Sequence, residues 1–342
     1  MSIDPRYHRL ARFARIQTAG VERLNQATVV IIGCGALGAQ HAETLTRSGI
    51  GHVILVDRDF VELSNLQRQT LFTEADAAAA LPKVVALKQH LTAINHTTRI
   101  TTHLVDVSSD NIIDLIKGAD LVLDGTDNLA LRMIINDACY QQNIPWIFGS
   151  ALESYGMSHN FNVPHRQDLP CLRCILGAIP LESGDTCSSV GVIQPILQLI
   201  SSIQTTEAIK FFVEPSAMRE TLWTMDLWSS HSQAINLTKF KQKQCPTCGE
   251  NPTYPALMHA QREAQRLCGD GSVMIREMQP LDLAALEKIL IKQGIAHRFN
   301  EYFLNIEGDN RIILFKDGRA IVYGTHDVDE ALARYQNLIN LI

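Results

Sequence analysis

Residues 27–38, Ala-Thr-Val-Val-Ile-Ile-Gly-Cys-Gly-Ala-Leu-Gly, decide the fold of this chain. The apolar, largely β-branched run 27–32 is typical of a parallel strand buried on both faces. Glycines follow it at once, residues 39–47 read as a helix, and a second buried strand at 51–57 ends in Asp57. The order strand, glycine turn, helix, strand and acid predicts a Rossmann-like, doubly wound α/β sheet.

The rest of the chain predicts a second, smaller body. Further strands at 99–104, 121–124 and 145–149 alternate with helices and continue the sheet. Gly249, Pro252 and Pro255 make the following stretch read as a linker, and short strands with a Lys316-Asp317-Gly318 hairpin turn follow it. We therefore expect a nucleotide-binding domain at residues 1–250, a linker at 251–265 and a small C-terminal α+β module at 266–342, whose role the sequence does not assign.

Composition excludes several classes of function. The chain has 342 residues, 46% of them hydrophobic, and a formal net charge of −6. A general nucleic-acid binder is therefore not expected, and neither is a protein that binds anionic membranes. No apolar run reaches the roughly 18 residues of a membrane span, and residues 1–6 lack the apolar core of a leader peptide. We expect a cytoplasmic protein.

Two Cys-x-x-Cys pairs, Cys171/Cys174 and Cys245/Cys248, predict a metal site. Four thiolates suit a closed, tetrahedral, structural zinc site, and each pair can supply one edge of the tetrahedron. Since the pairs are far apart in sequence, the metal would tie two distant segments together. Two disulfides or a redox Cys-x-x-Cys are the alternatives, and a reducing compartment disfavours the disulfides.

The glycine loop predicts a phosphate site, with Gly33, Gly35 and Gly38 letting a helix N-terminus approach the ligand. Asp57 is placed to accept a hydrogen bond from a ribose hydroxyl. Taken alone, this fingerprint fits NAD better than ATP. Asp59 lies two residues beyond Asp57, and Asp127 and Asn128 follow a further strand. One crevice at the carboxyl ends of the strands would therefore collect Asn65, Arg68, Lys83 and Asp127, and two extra cations and a carboxylate exceed the needs of a nicotinamide cofactor. Cations for phosphate oxygens and Asp127 for a hard metal instead favour ATP with Mg²⁺.

These residues resemble a known family, the ThiF/MoeB adenylyltransferases, which are bacterial relatives of the ubiquitin-activating enzymes. The likeness covers residues 6 to about 250. It is carried by Gly33-x-Gly35-x-x-Gly38, Val56-Asp57-x-Asp59, Leu63-Ser64-Asn65-Leu66-Gln67-Arg68-Gln69, Pro82-Lys83, Asp124-x-Thr126-Asp127-Asn128, Thr186-Cys187 and both cysteine pairs. The segments 154–157 and 184–187, and the C-terminal extension, are closer to ThiF-type members.

The resemblance implies an activity. Members adenylate the C-terminal glycine of a ubiquitin-like sulfur carrier, ThiS or MoaD, and sulfur then replaces AMP to give a thiocarboxylate for thiamine thiazole or molybdopterin synthesis. By position, Asp57 would hold the ribose, Asn65, Arg68 and Lys83 the phosphates, and Asp127 the magnesium. The family is homodimeric, and Arg9 matches the arginine that is inserted into the partner's nucleotide site. A persulfide-donating cysteine desulfurase would be a further partner.

Cys187 is the remaining candidate catalytic residue. The family has a cysteine here, and its thiolate would form a covalent intermediate with the carrier. The alternative is a small loop residue that the reaction does not need, because no His or Lys nearby in sequence would lower its pKa. Two other functions stay open: an NAD-dependent oxidoreductase, and a non-catalytic scaffold related to activating enzymes.

Overall fold

The computed structural model describes residues 3–164, 166–177, 191–258, 264–267, 271–276, 280–308 and 311–341. The chain divides into two compact units, Met1–Ala260 and Gln261–Ile342. The predicted linker, 251–265, spans this division. None of the helices that the structure describes is both long and apolar enough to cross a membrane.

The strands of the first unit form one sheet. They are β1 Thr28–Ile32, β2 His52–Asp57, β3 Arg99–Leu104, β4 Leu121–Asp124, β5 Trp146–Leu152, β6 Tyr155–Phe161, β7 Leu222–Asp226 and β8 His231–Ile235. Within the described residues the strand order is β3-β2-β1-β4-β5-β6-β7-β8. The first five strands of this order pair in parallel and the last three pair antiparallel. From β1 the chain proceeds to β2 and β3 on one side and then to β4 and β5 on the other, so the strand order reverses between β1 and β4. Ligands bind at such a switch point in open α/β sheets.

Helices cover both faces of this sheet. They are α1 His8–Ala11, α2 Gln17–Gln26, α3 Ala36–Ser48, α4 Glu74–Ala78, α5 Lys83–Ile94, α6 Ile112–Ile116, α7 Leu129–Gln141, α8 Leu172–Leu176 and α9 Gln194–Val213. Short 3₁₀ turns lie at Pro5–Tyr7, Leu63–Asn65, Pro215–Ala217, Thr238–Phe240 and Pro255–Leu257. Alternate residues of β1 enter separate cores. Val29 and Ile31 pack in the cluster with residues of α2, α3 and α5, whereas Val30 and Ile32 pack with residues of α6 and α7.

In the part of the second unit that the structure describes, six strands form an antiparallel sheet with helices. Its strands are β9 Ala264–Leu267, β10 Ser272–Arg276, β11 His297–Phe299, β12 Phe303–Ile306, β13 Ile312–Phe315 and β14 Arg319–Tyr323, in the order β11-β12-β13-β14-β10-β9. Its helices are α10 Leu283–Gln293 and α11 Val328–Leu341. The predicted fold class, a doubly wound sheet with a small α+β module, is confirmed.

Local sequence features explain several elements of the first unit. Pro195 lies in the first turn of α9, where its missing N–H costs nothing. The N-terminal segment forms two helices, α1 and α2, which residues 12–16 separate. Strands β6 and β8 were missed because β6 buries the polar residues 158–160 and β8 is exposed along its whole length.

Candidate functional site

Three glycines bring the start of α3 against the ends of β1 and β4. Gly33 has a φ of +85°, and a Cβ there would lie 2.8 Å from the backbone of Gly125, which follows β4. A Cβ on Gly38 would lie 1.8 Å from the Gly33 carbonyl oxygen, and one on Gly125 would lie 2.4 Å from the same atom. Larger residues therefore do not fit, and glycine is required for this close approach.

Gly35 differs from these glycines because its face is open. A Cβ there would meet only Gln69 Nε2, at 3.6 Å. Gly35 is also the N-cap residue of α3, and among the described residues no side chain caps this 13-residue helix. The N–H groups of its first turn and the positive end of its dipole therefore suit a phosphate placed over Gly35.

The Asp57 carboxylate, at the end of β2, fixes the glycine loop. It accepts hydrogen bonds from the main-chain N–H groups of Cys34, at 2.6 Å, and Asp59, at 2.7 Å. Burial raises the pKa of Asp57 above its ordinary value, while Lys83 opposes the rise. Each carboxylate oxygen has a second lone pair, which can accept the predicted bond from a ribose hydroxyl.

Lys83, the first residue of α5, is a buried cation beside these acids. Only 7% of the residue is exposed, and its Nζ donates to Asp59 Oδ2 at 3.2 Å. Burial alone would lower the pKa of Lys83, but Asp59, Asp57 and Asp127 together raise it above its ordinary range. The ammonium group therefore stays charged, and the effect of Asp127 indicates that the loop after β4 faces the same region.

Asn65 is the last residue of the 3₁₀ turn Leu63–Asn65, and Arg68 lies in the turn that follows it. The Asn65 side chain accepts a hydrogen bond from the main chain of Glu62 at 3.1 Å, so this predicted phosphate ligand also fixes its own turn. Arg68 is half-buried, and its Nη1 donates to the Ser64 carbonyl oxygen at 3.2 Å. A guanidinium has five N–H donors, so that bond leaves others for a ligand.

The loop after β4 carries Asp127 and Asn128. Asp127 is exposed, so its carboxylate is accessible to a ligand from solvent. Asn128, predicted to bind the nucleotide, is the N-cap of α7, and its Oδ1 accepts from the Leu131 N–H at 3.1 Å. The amide thus has a structural partner whether or not it also meets a ligand.

Two buried residues that sequence reasoning missed support this loop. Asp124 is fully buried and accepts from the Thr126 hydroxyl at 2.6 Å and from Arg132 Nε at 2.9 Å. Arg132 also donates to the carbonyl oxygens of Thr126 and Gly149. Sequence reasoning placed Asp124 at the end of a strand and in the Asp124-x-Thr126-Asp127-Asn128 motif without giving it a role, and an arginine eight residues later gave no signal of this buried pair.

Gln204 of α9 connects the loop to α3. Its Nε2 donates to the main-chain oxygens of Asp124, at 3.0 Å, and Ile147, at 3.1 Å. Its Oε1 lies 2.9 Å from His41 Nε2 of α3, which acts as the donor. Burial lowers the pKa of His41 to about 4, so the imidazole is neutral near pH 7.

The four predicted zinc ligands converge. Their Sγ atoms all lie within 4.8 Å of one another, and the closest pairs are 3.5 Å (Cys174–Cys248), 3.6 Å (Cys171–Cys245) and 3.9 Å (Cys171–Cys174). A tetrahedron with Zn–S bonds of about 2.3 Å has edges of about 3.8 Å. The donor set and spacing therefore fit one zinc ion. The Thr247 N–H, 3.5 Å from Cys245 Sγ, supports a ligating thiolate.

Asp137 of α7, which sequence reasoning also missed, holds the two cysteine loops together. It is fully buried and accepts hydrogen bonds from Arg173, between the first pair, and from Thr247, between the second pair. It also accepts from the Ala256 N–H at 2.8 Å. The metal loops are therefore positioned by a carboxylate as well as by their own sulfurs.

The remaining predicted residues lie elsewhere. Arg9 is exposed on α1, outside the sheet. Cys187 lies outside the described residues. The structure thus groups Gly35, Asp57, Lys83 and the loop of Asp127 at the carboxyl ends of β1, β2 and β4, and groups the four cysteines separately.

The chain is similar to known proteins over most of its length. A model described as the ThiF family matches residues 7–247. A Bacillus subtilis (strain 168) protein named sulfur carrier protein ThiS adenylyltransferase is 37% identical over 338 residues, which cover 98% of this chain and 99% of the relative. A Salmonella typhimurium protein named molybdopterin-synthase adenylyltransferase is 34% identical over 248 residues, covering 72% of this chain and 96% of the relative.

Solved structures give a more distant likeness. The crystal structure of Escherichia coli MccB with succinimide has a TM-score of 0.62 at 22% identity, over 73% of this chain and 75% of that one. At this identity the likeness shows the fold alone. The match of the family model to most of the first unit, together with the end-to-end similarity to the Bacillus relative, confirms the resemblance seen in the sequence: the chain belongs to the ThiF family.

Proposed function

We propose that this protein adenylates the C-terminal glycine of a ubiquitin-like sulfur-carrier protein with ATP. The observation that carries the proposal is the cluster at the carboxyl ends of β1, β2 and β4. An open glycine face and an uncapped helix start lie beside a buried, charged lysine and an exposed aspartate. An anion site with added cations and an acid suits a triphosphate better than a dinucleotide.

The reaction needs no general base. The terminal carboxylate of a carrier is already ionised at pH 7. One of its oxygens attacks the α-phosphorus of ATP, the bond to the bridging oxygen of the β-phosphate breaks, and pyrophosphate leaves with the electron pair. The residues then have to align the reactants and stabilise charge, which is the principal contribution of proteins to phosphoryl and nucleotidyl transfer.

Each residue has a proposed part in this alignment. Asp57 holds the ribose, while Arg68 and Lys83 contact phosphate oxygens. Asp127 would hold Mg²⁺, which offsets negative charge on the phosphates when bound. Asp59, which pairs with Lys83, keeps that ammonium group in place. The zinc ion would be structural.

The proposal also covers the type of carrier protein, the oligomeric state and the sulfur donor. The Bacillus subtilis relative, which matches nearly the whole of this chain over nearly its own whole length, is named for ThiS. The Salmonella relative, which is named for molybdopterin synthase, matches only 72% of this chain. We therefore favour a ThiS-type carrier ending in Gly-Gly as the substrate over a MoaD type. A homodimer with Arg9 acting across it, and a persulfide-donating cysteine desulfurase as sulfur source, complete the proposal. Cys187 would take part in sulfur transfer only.

Pyrophosphate exchange tests the activity. The protein, a Gly-Gly-terminated carrier, ATP and Mg²⁺ are incubated with labelled pyrophosphate, and label is expected in ATP. A carrier whose terminus is an amide is the control, since it lacks the nucleophile. Calorimetric binding of NAD but not ATP, with no exchange, would overturn the proposal in favour of the oxidoreductase.

A further inference from the structure

Gln69 is a buried polar residue beside the proposed nucleotide site that the roles above do not use. It is 4% exposed, and its Oε1 has no hydrogen-bond partner among the residues that the structure describes. A buried acceptor without a donor destabilises a protein by about 1–3 kcal/mol. A bound ligand that donates a hydrogen bond to this oxygen would explain why it has no partner in the protein.

The position of the side chain points to the phosphate site. Gln69 Nε2 is the atom that a Cβ on Gly35 would meet, at 3.6 Å. Gly35 is the open residue of the loop and the N-cap of α3. The carboxamide therefore borders the space in which a phosphate would lie over the helix start.

The main chain holds Gln69 rigidly in this place. Its N–H donates to the Asn65 carbonyl oxygen at 2.9 Å, and its own carbonyl oxygen accepts from the Phe72 N–H at 3.2 Å. Phe72 is buried in the core that also contains Val61 and Val84. The main chain that carries the unpartnered Oε1 is thus anchored beside the loop.

We propose that Gln69 is an additional ATP-binding residue, whose Nε2 donates to a phosphate oxygen over Gly35 while Oε1 accepts from a donor that arrives with the nucleotide. A ribose hydroxyl or an ordered water on the phosphates has the required chemistry. This inference rests on the proposed function. It makes the site partly unsatisfied before ATP binds, so binding both forms new bonds and removes an existing penalty.

The test compares stability and affinity in the same variants. Gln69→Met keeps the length of the side chain and removes both polar atoms. Without ATP, its melting temperature should equal or exceed that of the parent, because the unpartnered acceptor is gone. Its Kd for ATP should rise roughly five- to tenfold, the effect of one or two neutral hydrogen bonds, and the rise of melting temperature with ATP should shrink. Gln69→Glu should bind ATP more weakly still, because it places a carboxylate beside the phosphates.

Gln67 provides a matched control, since it lies in the same segment but is exposed. Gln67→Met should change neither the melting temperature nor the Kd for ATP. Should Gln69→Met not fold, Gln69→Asn tests the same point, because it keeps the amide and withdraws it by one methylene. An unchanged Kd for ATP in the folded Gln69 variants would overturn the inference and leave the proposed function intact. Failure of the parent protein to bind ATP would instead overturn the proposed function.

Discussion

At the scale of single residues, the glycines of the fingerprint, Gly33, Gly35 and Gly38, have different structural roles. Gly38 lies against the Gly33 carbonyl oxygen, and a Cβ there would be 1.8 Å from it, whereas a Cβ on Gly35 would meet nothing nearer than 3.6 Å. The sequence pattern alone does not distinguish Gly35 from Gly38. In the structure one glycine is needed for packing, and the other keeps a space open for the ligand.

Alanine at these two positions should therefore give opposite phenotypes. Gly38→Ala should lower the free energy of unfolding by about 2 kcal/mol or more, because backbone atoms must move. Gly35→Ala should unfold at nearly the parent temperature yet lose ATP affinity at least about tenfold, because the methyl group occupies the phosphate space. Thermal melts with and without ATP measure both effects. Equal destabilisation by the two substitutions would contradict this division.

The charge of Asp127 allows a second test at this scale. If it holds Mg²⁺, Asp127→Asn should reduce pyrophosphate exchange on the order of 100-fold, because an amide is a poor ligand for a hard cation. Asp114→Asn, a change at an exposed aspartate of α6, is the control and should leave exchange unaltered. Full pyrophosphate-exchange activity in a folded Asp127→Asn variant would contradict the hypothesis that Asp127 holds Mg²⁺.

At the scale of elements, His41 makes the contact between α3 and α9 sensitive to pH. Its pKa of about 4 in the folded protein lies below the unfolded value near 6.5. Between these values the unfolded chain binds the proton more strongly, so stability is lost as pH falls from 6.5 towards 4. His159, buried in β6 with a pKa lowered to about 4, acts in the same direction.

His41→Gln should reduce this acid sensitivity. Relative to the parent, the variant should lose roughly 2 kcal/mol less unfolding free energy between pH 7 and pH 5, where the folded protein excludes the proton. Urea unfolding at the two pH values gives the difference. The exposed His96 supplies the control, and His96→Gln should follow the parent. Identical pH dependence in parent and His41→Gln would show that His41 is not the group responsible.

Also at the scale of elements, α7 connects the two cysteine loops, because its Asp137 accepts hydrogen bonds from both. Asp137→Ala should leave all four thiolates present and still weaken zinc binding about 10- to 100-fold, the usual effect of losing a residue that orients metal ligands. Zinc release to a chromogenic chelator measures this. Retention of zinc equal to that of the parent would mean that the sulfurs alone position the loops.

At the scale of the whole molecule, the sequence predicted the parallel half of the fold better than the antiparallel half. Buried parallel strands such as β1 are continuous apolar runs, which are easily recognised. Strand β6 carries Ser158, His159 and Asn160 as fully buried residues, and β8 is exposed throughout, so neither shows the expected pattern. In the candidate site, the motif residues could be predicted, but the buried ion pair of Asp124 and the roles of Asp137 and Gln204 could not. The roles of Asp137 and Gln204 depend on partners far away in sequence, such as Thr247 for Asp137.

The division into two units leads to a prediction about the second one. The ThiF match ends at residue 247, inside the first unit, and the Salmonella relative is 96% covered by 72% of this chain. A chain comprising residues 1–260 should therefore fold, bind one zinc ion and keep pyrophosphate exchange within about threefold, a change of under ~0.7 kcal/mol in the barrier. Zinc content and circular dichroism establish folding first. A folded, zinc-loaded truncation without exchange would assign the second unit a part in adenylation.

Complementation tests whether Arg9 acts across a dimer. Arg9→Ala and Asp127→Ala chains should each be inactive alone, and a mixture should recover activity. Each mixed dimer has one site with both lesions and one intact site, so about half the activity per mixed dimer is expected if the sites are independent. Exchange assays on mixtures whose composition is checked by mass spectrometry read this out. No recovery in confirmed heterodimers would place Arg9 in its own chain's site or outside the reaction.

The cysteine cluster has a consequence for how the chain loses activity. Cys171 and Cys245 are 74 residues apart, and the segment between them contains α9 with Gln204, which bonds the main chain at the end of β4. A metal that joins its ends makes this segment a ring, and opening a ring of this length returns about 4 kcal/mol of chain entropy to the unfolded state. Oxidants or chelators that strip the metal would thus lower the free energy of unfolding of the unit that contains the nucleotide loop, without touching a nucleotide ligand. Oxidation of the four cysteine sulfurs would therefore be measured as a loss of ATP turnover.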